Sequence, residues 1–342
     1  MEELAKSIGV SRPTLSKYFQ EPESVRLSTR QLIKAGLSRV EYIPNFFATR
    51  MNRKSTKLIG VIVPLINDLF LASLIEKIEK YALQEGFTVI IQNTHGSPEL
   101  EILATKNLMS MNVDGVILAP IGNSSDQETI KWMKNSLPVV FVDSYFRGEF
   151  ENVDYIGTNN RQSIALIIDY LVRTGSEPIF LGMPPLNSSA TDRERAYTDR
   201  MSKLEVKPHV IPAIEATPCW EFEEYAFQVM DAYFSRGAYT QSTILCANDR
   251  LAIGVLRAAH RHHLFSRGIE KMGNRFRVAG HDDHPLSKFV YPTLTTVKQN
   301  TAAIGRSAVS RLLHHIRNPE SAAKEGGLVK CFDAELIVRE SA

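Results

Sequence analysis

Several short apolar runs in this sequence end in acids or amides. Asp143 closes VVFVD, Asn159 and Asn160 follow IGT, Asn248 and Asp249 follow ILCA, and Asp282 and Asp283 follow VAGH. Arg193 opens a predicted helix beside them. Carboxylates, amides and a guanidinium that converge on one cleft can satisfy ring hydroxyls in donor and acceptor pairs. Taken singly, each acid reads as a helix cap or a salt-bridge partner; the repetition at strand ends raises the set above its members. Bond-breaking chemistry is poorly served. Asp282 and Asp283 are adjacent, so their side chains diverge, and nothing supplies a defined nucleophile. The G-x-G-x-x-G, Walker A and G-x-S-x-G patterns are missing. His260 and His263 stand at i, i+3 without a nearby Cys or an acidic third ligand, and read as solvated helix-end residues. The expectation is no enzyme, no metal and no cofactor.

The elements that must position these residues alternate. Continuous apolar runs at 58–64, 88–92, 115–119 and 139–143 predict buried strands, separated by helical spacing over 70–86, 99–111 and 127–135. A second series follows, with strands at 155–157, 179–181, 209–212, 243–247 and 277–280. Its helices are predicted over 162–174, 193–203, 222–237 and 252–260. Alternation of this kind implies parallel sheets covered on both faces, here as two similar lobes with a cleft between them. Ligands in such sheets bind beyond the carboxyl ends of the strands.

Composition sets the surroundings. Hydrophobic and charged fractions of 44% and 23% are those of a soluble protein. No apolar run reaches the length of a membrane span, and MEELAKSIGV lacks the h-region of a signal peptide. Cys219, Cys246 and Cys331 are odd in number and far apart, which reads as reduced thiols in a cytoplasmic chain.

The net charge of +2 conceals an asymmetry: residues 1–57 carry eleven Lys/Arg against five Asp/Glu, a net of +6, and the remainder a net of −4. A basic head on an acidic body suggests a polyanion partner for the head alone. Leu4, Ala5, Ile8, Val10, Leu15 and Tyr18 place apolar side chains on two short helices, with Gly9 in the turn. Ser11 is a good N-cap and Pro13 is tolerated in the first turn. Ser11, Arg12, Pro13, Ser16, Lys17 and Gln20 are left outside, as on the recognition helix of a helix-turn-helix. A third helix is predicted over 31–40, weakened by Gly36.

The blocks MEELAKSIGVSRPTLSKYF, YIPNFFATRM and KLIGVIVPLINDLF resemble the start of lactose-repressor (LacI/GalR) family transcription factors. The resemblance continues through VDGVILAP, IGTNNRQSIALIIDYLVRTG, ILCANDRLAIGVLRAA and VAGHDDHPLSKFVYPTLTTVKQ, over the full length. It implies a small all-α helix-turn-helix headpiece plus an α/β two-lobed, periplasmic-binding-protein-like effector domain with parallel sheets. The implied partition is a headpiece over 1–41, a hinge helix and linker over 42–57, and the two-lobed domain over 58–342. Within that domain the N-lobe takes about 58–158 and 289–318, and the C-lobe about 159–288 and 319–342. The implied function is a DNA-binding regulator, a repressor by expectation, controlled by a sugar or sugar derivative; a nucleobase or nucleoside is the second choice. The alternatives are a sugar- or nucleoside-binding sensor without operator repression and, more remotely, a cleft enzyme.

By the same resemblance, Ser11, Arg12, Pro13, Thr14, Ser16, Lys17 and Arg30 contact operator DNA together with Asn45, Ala48 and Met51 of the hinge. Met51 stands where relatives carry a leucine wedge that enters the minor groove. Phe70, Asp143, Asn160, Arg193, Trp220, Asn248, Asp249 and Asp282 are expected to contact the effector. A homodimer on a pseudo-palindromic operator is implied, with no membrane partner. Two departures stand out: Asn159–Asn160 replaces the usual Asp-Asn and removes a charge, and His281 replaces an aromatic with a ring able to accept, to donate or to titrate near neutral pH.

Overall fold

The computed structural model describes residues 1–39, 55–146, 153–212, 220–265, 276–322 and 324–342. The hinge segment 42–52, with Asn45, Ala48 and Met51, lies outside the described residues, as does Cys219. Two compact units are present, Met1–Leu58 and Ile59–Ala342.

In the first unit, α1 (Glu2–Ile8) ends at Gly9, whose φ of 80° is the left-handed conformation that lets the chain reverse. Helix α2 (Arg12–Gln20) starts at Ser11, whose hydroxyl accepts the Thr14 N–H at 3.2 Å. Helix α3 (Leu27–Leu37) begins four residues earlier than the apolar spacing suggests. Gly36, a defect by helix propensity, has a packing reason: a Cβ there would sit 2.7 Å from Ile8 Cγ1, so its absence brings α3 against α1. Leu4, Ala5, Ile8, Leu15 and Ile33 form the small core.

The second unit holds two sheets. In the first, β1 (Leu58–Val63), β2 (Thr88–Asn93), β3 (Gly115–Leu118), β4 (Val139–Val142), β5 (Asp154–Thr158) and β10 (Val329–Phe332) lie in the order β10-β5-β4-β3-β1-β2. Pairings β1/β3, β3/β4, β4/β5 and β5/β10 are parallel. The run LIGVIV of β1 is buried throughout, as a strand covered on both faces must be. Helices α4 (Leu69–Gln84), α5 (Pro98–Ser110), α6 (Gln127–Ser136) and α11 (Thr301–Arg317) belong to this lobe.

The second lobe is built on β6 (Pro178–Leu181), β7 (Thr243–Cys246) and β8 (Arg277–Ala279), all parallel. Bridges from Ala279 to Thr295 and from Asp282 to Lys298 join β9 (Thr296–Lys298) to it, and β11 (Glu335–Ile337) pairs antiparallel with β9. Only a single bridge, Val210 to Phe180, forms where a strand is predicted over 209–212. Helices α7 (Asn160–Thr174), α8 (Ser188–Lys203), α9 (Phe222–Ser235) and α10 (Asp249–Arg261) surround this sheet, and their apolar faces make a continuous core with β6, β7 and β8.

The chain crosses between lobes near 158–160, 299–301 and 332–335, which corrects the expected lobe limits. Residues 289–298 belong with the second lobe, because β9 pairs there; β10 belongs with the first, because it pairs with β5. Amides stitch the crossings together. The Asn159 N–H donates to Phe332 O at 2.8 Å, its Nδ2 donates to Asp333 Oδ1 at 2.9 Å, and Gln162 exchanges two hydrogen bonds with Ala334. Among the described residues no helix is long and apolar enough to cross a membrane.

Candidate functional site

Three strand ends and two helix starts converge between the lobes. Helix α8 begins at Ser188, capped by Asn187, so Arg193 sits in its second turn and does not open it as predicted. That places the Arg193 guanidinium, 3% exposed, against three partners. Its Nε donates to Asn160 Oδ1 at 3.2 Å, and its Nη1 donates to Ala247 O at 2.8 Å and faces Asp282 Oδ1 at 3.3 Å. One residue from each of α7, α8, the end of β7 and the end of β8 therefore meets in a single network.

Asp282 has φ of 133° and Asp143 φ of 62°, conformations that L-residues adopt only where the surroundings enforce them. Both stand just past a strand end, where the reversal turns a carboxyl into the cleft. Burial pushes the Asp143 carboxyl up to about 7, with Asp282 and Asp68 adding to the rise and Arg193 opposing it. Burial likewise raises Asp282 to about 6, against the pull of Arg193. Carboxylates held at this cost gain from a ligand that brings donors.

His281 departs from its expected behaviour. It is fully buried, and burial together with the nearby Arg193 guanidinium holds its pKa well below the usual value. The ring is neutral at pH 7, with one donor and one acceptor nitrogen. Nδ1 lies 3.0 Å from the Asp282 carboxylate and Nε2 lies 2.8 Å from Ser163 Oγ. With Nδ1–H donating to Asp282, Nε2 is the acceptor facing Ser163 Oγ, whose single proton is shared between this nitrogen and Asn160 O at 3.2 Å. His281 is a positioning group for Asp282 and does not titrate near neutral pH.

Asp249 is also reassigned. It is fully buried, and its carboxylate accepts from Thr296 Oγ1 at 2.6 Å, Ser287 Oγ at 2.6 Å and the His284 N–H at 2.8 Å. Those donors tie 284–296 to α10 and leave no surface for a ligand, even though burial and then Asp282 raise its pKa to about 7. Asn248 caps α10 through the Leu251 N–H at 2.8 Å and points Nδ2 at Met183 Sδ at 3.1 Å. Phe70 lies in the first turn of α4, behind the N-cap Asp68. Trp220 is half-buried and reaches the opposite lobe, since a Cβ on Gly96 would lie 2.2 Å from its Cδ1.

Sequence reasoning missed three groups. Gln299 is buried at a crossing; its Oε1 accepts from Thr158 Oγ1 and its Nε2 donates to Asp282 Oδ1 at 2.6 Å. Arg250 and Asp68 link the lobes: Arg250 Nη1 faces Asp68 Oδ2 at 3.3 Å while the same guanidinium holds Glu223 in two bonds of 2.7 Å and the Trp220 carbonyl at 3.0 Å. The signal for Asp68 was present, because an acid directly before an apolar helix is an N-cap.

On the headpiece, Arg12, Pro13 and Lys17 are exposed, and the Arg12 and Lys17 cations have no partner among the described residues. The Ser11 and Thr14 hydroxyls lie 2.7 Å apart and serve the cap; Ser16 is half-buried. Arg30, expected among the DNA contacts, is ion-paired with Glu23.

A helix-turn-helix unit joined to a two-lobed, parallel-sheet unit with a polar cleft defines a ligand-responsive DNA-binding protein. A family profile described as periplasmic binding protein-like domain matches residues 168–342. The repressor PurR of Haemophilus influenzae (strain PittEE) is 26% identical over 352 residues, spanning 100% of this chain and 98% of that protein. The sucrose operon repressor of Pediococcus pentosaceus is 28% identical over 322 residues, 93% and 92% of the two chains. The lac repressor dimer bound to operator and the anti-inducer ONPF superposes with a TM-score of 0.80 at 23% identity, over 99% of this chain and 97% of that one. The chain belongs to the periplasmic binding protein-like family and, within it, to the LacI family of transcriptional regulators.

Proposed function

We propose that this protein is a cytoplasmic transcriptional repressor that binds a pseudo-palindromic operator as a homodimer. Its operator affinity is set by a small sugar-like molecule held between the lobes, and it carries out no bond chemistry. The observation that carries the reading is the joining, in one chain, of a free cationic helix face (Arg12, Lys17) to the Asn160–Arg193–Asp282 network. Arg or Lys can donate to guanine O6 and N7 from a major-groove helix. Pro13 cannot donate from its backbone, so the base-reading work falls to its neighbours. The cleft groups suit a polyol: Asp143 and Asp282 accept, Arg193, steadied by Asn160, donates, and Trp220 and Phe70 offer apolar faces. The sucrose operon repressor among the relatives supports a sugar.

The effector acts by binding one lobe arrangement better than another; equal affinity for both would shift nothing. Operator sites selected from random DNA, followed by fluorescence anisotropy, test the first half. Lys17→Ala is expected to weaken the selected site by about 1–3 kcal/mol and to relax one base position. Unchanged affinity and selectivity would remove α2 from the interface. A thermal-shift screen of sugars on wild type and Asp282→Ala tests the second half, and equal shifts in both would remove Asp282 from the site.

A further inference from the structure

A cavity of about 700 Å³ opens on the side of the chain crossings, and Asn160 is the one member of the cleft network that lines it. The first lobe contributes Tyr145 and Tyr155, and the second contributes the start of α7 and the face of α8 that carries Asp192 and Arg195. The cavity thus touches both lobes beside the three crossings, while Phe70, Trp220, Asn248 and Asp282 lie elsewhere.

The accounting of polar groups here is one-sided. Asn160 is 9% exposed, and its Oδ1 is taken by Arg193 at 3.2 Å, which leaves Nδ2 without a partner among the described residues. The first N–H groups of a helix have no acceptor within it. In α7 the N–H of Gln162 is taken by Asn159 Oδ1 at 3.2 Å, leaving those of Asn160 and Arg161 at the positive end of a 15-residue helix. Arg195 is exposed, and its guanidinium has no partner among the described residues. The acids are engaged: Asp192 accepts from the Tyr145 hydroxyl at 3.3 Å, and Asp199 faces Arg161 at 3.6 Å. The two acids balance the two cations of the lining in number, and what remains unused is a set of donors, Asn160 Nδ2, the first N–H groups of α7 and the Arg195 guanidinium, above the rings of Tyr145 and Tyr155, which stand 4.8 Å apart by centroid.

We propose that this cavity is a second ligand site, for a small organic anion: a carboxylate or phosphate ester on a ring-sized body. The anion sits at the start of α7, receives hydrogen bonds from Asn160 Nδ2 and Arg195, and its body lies on the tyrosines. Because both lobes line the cavity, occupancy biases their arrangement; only that consequence for operator affinity rests on the repressor reading.

The test uses the full chain with phenyl phosphate, benzoate, inorganic phosphate and the neutral benzyl alcohol, followed by calorimetry and, for the phosphates, by ³¹P line width. Wild type is expected to bind phenyl phosphate or benzoate more tightly than either inorganic phosphate or benzyl alcohol. Arg195→Ala should weaken that binding by about tenfold or more, as loss of a charge-assisted hydrogen bond does, and Trp220→Ala, outside the Asn160–Arg193 network, should leave it within about twofold. Failure of both aromatic anions to bind, or equal affinity in wild type and Arg195→Ala, overturns the proposal. Loss in both variants also overturns it, since the cavity would then be an arm of the main cleft. Operator binding is measured on the same proteins, and its absence would count against the repressor reading while leaving the anion result standing.

Discussion

Replacing Gly122 by Ala should drive the lobes apart. A Cβ at Gly122 would lie 2.2 Å from Leu186 O and 2.7 Å from Cα and Cβ of Asn187, across the cleft. These are backbone atoms and the first carbon of a side chain, so no rotamer change relieves the overlap. Recovering an ordinary contact needs a shift of about 1 Å. The Asn123 N–H donates to Leu186 O at 2.7 Å and its Nδ2 donates to Pro185 O at 2.8 Å, and a shift of that size breaks or weakens both. Each is worth about 1 kcal/mol. The φ of 107° adds strain of its own, on the order of 1–2 kcal/mol for a residue with a Cβ. Gly237 separates the two effects: its φ is 75°, yet nothing lies within 4 Å of a Cβ built there. Gly237→Ala should therefore show the strain of a near-left-handed residue alone, and Gly122→Ala, whose φ lies further from that region, a larger strain plus about 2 kcal/mol from the lost bonds. For a unit of this size the excess lowers Tm by roughly 4–8 °C relative to Gly237→Ala. Small-angle scattering should show a larger radius of gyration for Gly122→Ala only. Equal Tm losses and equal radii in the two variants would mean that the lobes do not touch at 122–123 and 185–187 in solution.

Three further outcomes follow from the same geometry. Ser11→Ala removes the cap on α2 and should cost the headpiece about 1 kcal/mol; amide exchange over 12–20 that stays as slow as in wild type would refute it. Asp68→Asn keeps a cap for the Phe70 and Leu71 N–H groups but loses the ion pair with Arg250, whereas Asp68→Ala loses both. Urea denaturation should rank Asp68→Ala about 1 kcal/mol below Asp68→Asn, and equal stability of the two variants, both below wild type, would show that the pair, not the cap, matters most. Asp143 has its folded pKa raised from 3.8 to about 7, so its contribution to stability is greatest below the unfolded pKa and declines as pH rises from about 4 to about 7. Asp143→Asn avoids that cost, and the Tm of the variant should gain on wild type between pH 5 and pH 8; a pH-independent difference would place the Asp143 carboxyl in water.

Much of the molecule was legible because its signals are local. The cap Ser11, the glycine turn at Gly9 and the fully buried run of β1 each depend on a few neighbouring residues. The acids at strand ends were also visible as a pattern. What the pattern could not separate was Asp249 from Asp282: both follow an apolar strand, but one meets three donors brought from residues 284–296 and the other faces Arg193 from α8. Those partners are distant in sequence. The same holds for β9, β10 and β11, which are three or four residues long; β10 is an edge strand with mostly exposed side chains, so periodicity gives it no signature. His281 misled for a related reason. A histidine beside an aspartate reads as a titrating pair, and only its burial beside Arg193 makes it a fixed neutral donor.

If the proposed effector binds Asp282, Gln299 couples that contact to the chain crossings. Among the described residues, Asp282 is the one cleft acid bonded directly to a crossing, through Gln299 Nε2 at 2.6 Å, and the other end of that amide holds Thr158 at a second crossing. A ligand hydroxyl that donates to Asp282 competes for the lone pairs that Gln299, His281 and Arg193 now share. The competition occurs where the chain passes between lobes, so a change of a few tenths of an ångström there is multiplied along each lobe by its length. A contact of equal strength at Asn248, which caps a helix within one lobe, has no such lever. The cleft and the crossings are in this sense one polar network: Asn160 begins the helix that leaves the first crossing, Gln299 precedes the helix that leaves the second, and both are bonded to groups that touch Arg193 or are Arg193's own partners. Coupling between ligand and lobe arrangement then requires no path through the hydrophobic cores, only the exchange of hydrogen bonds at Asp282.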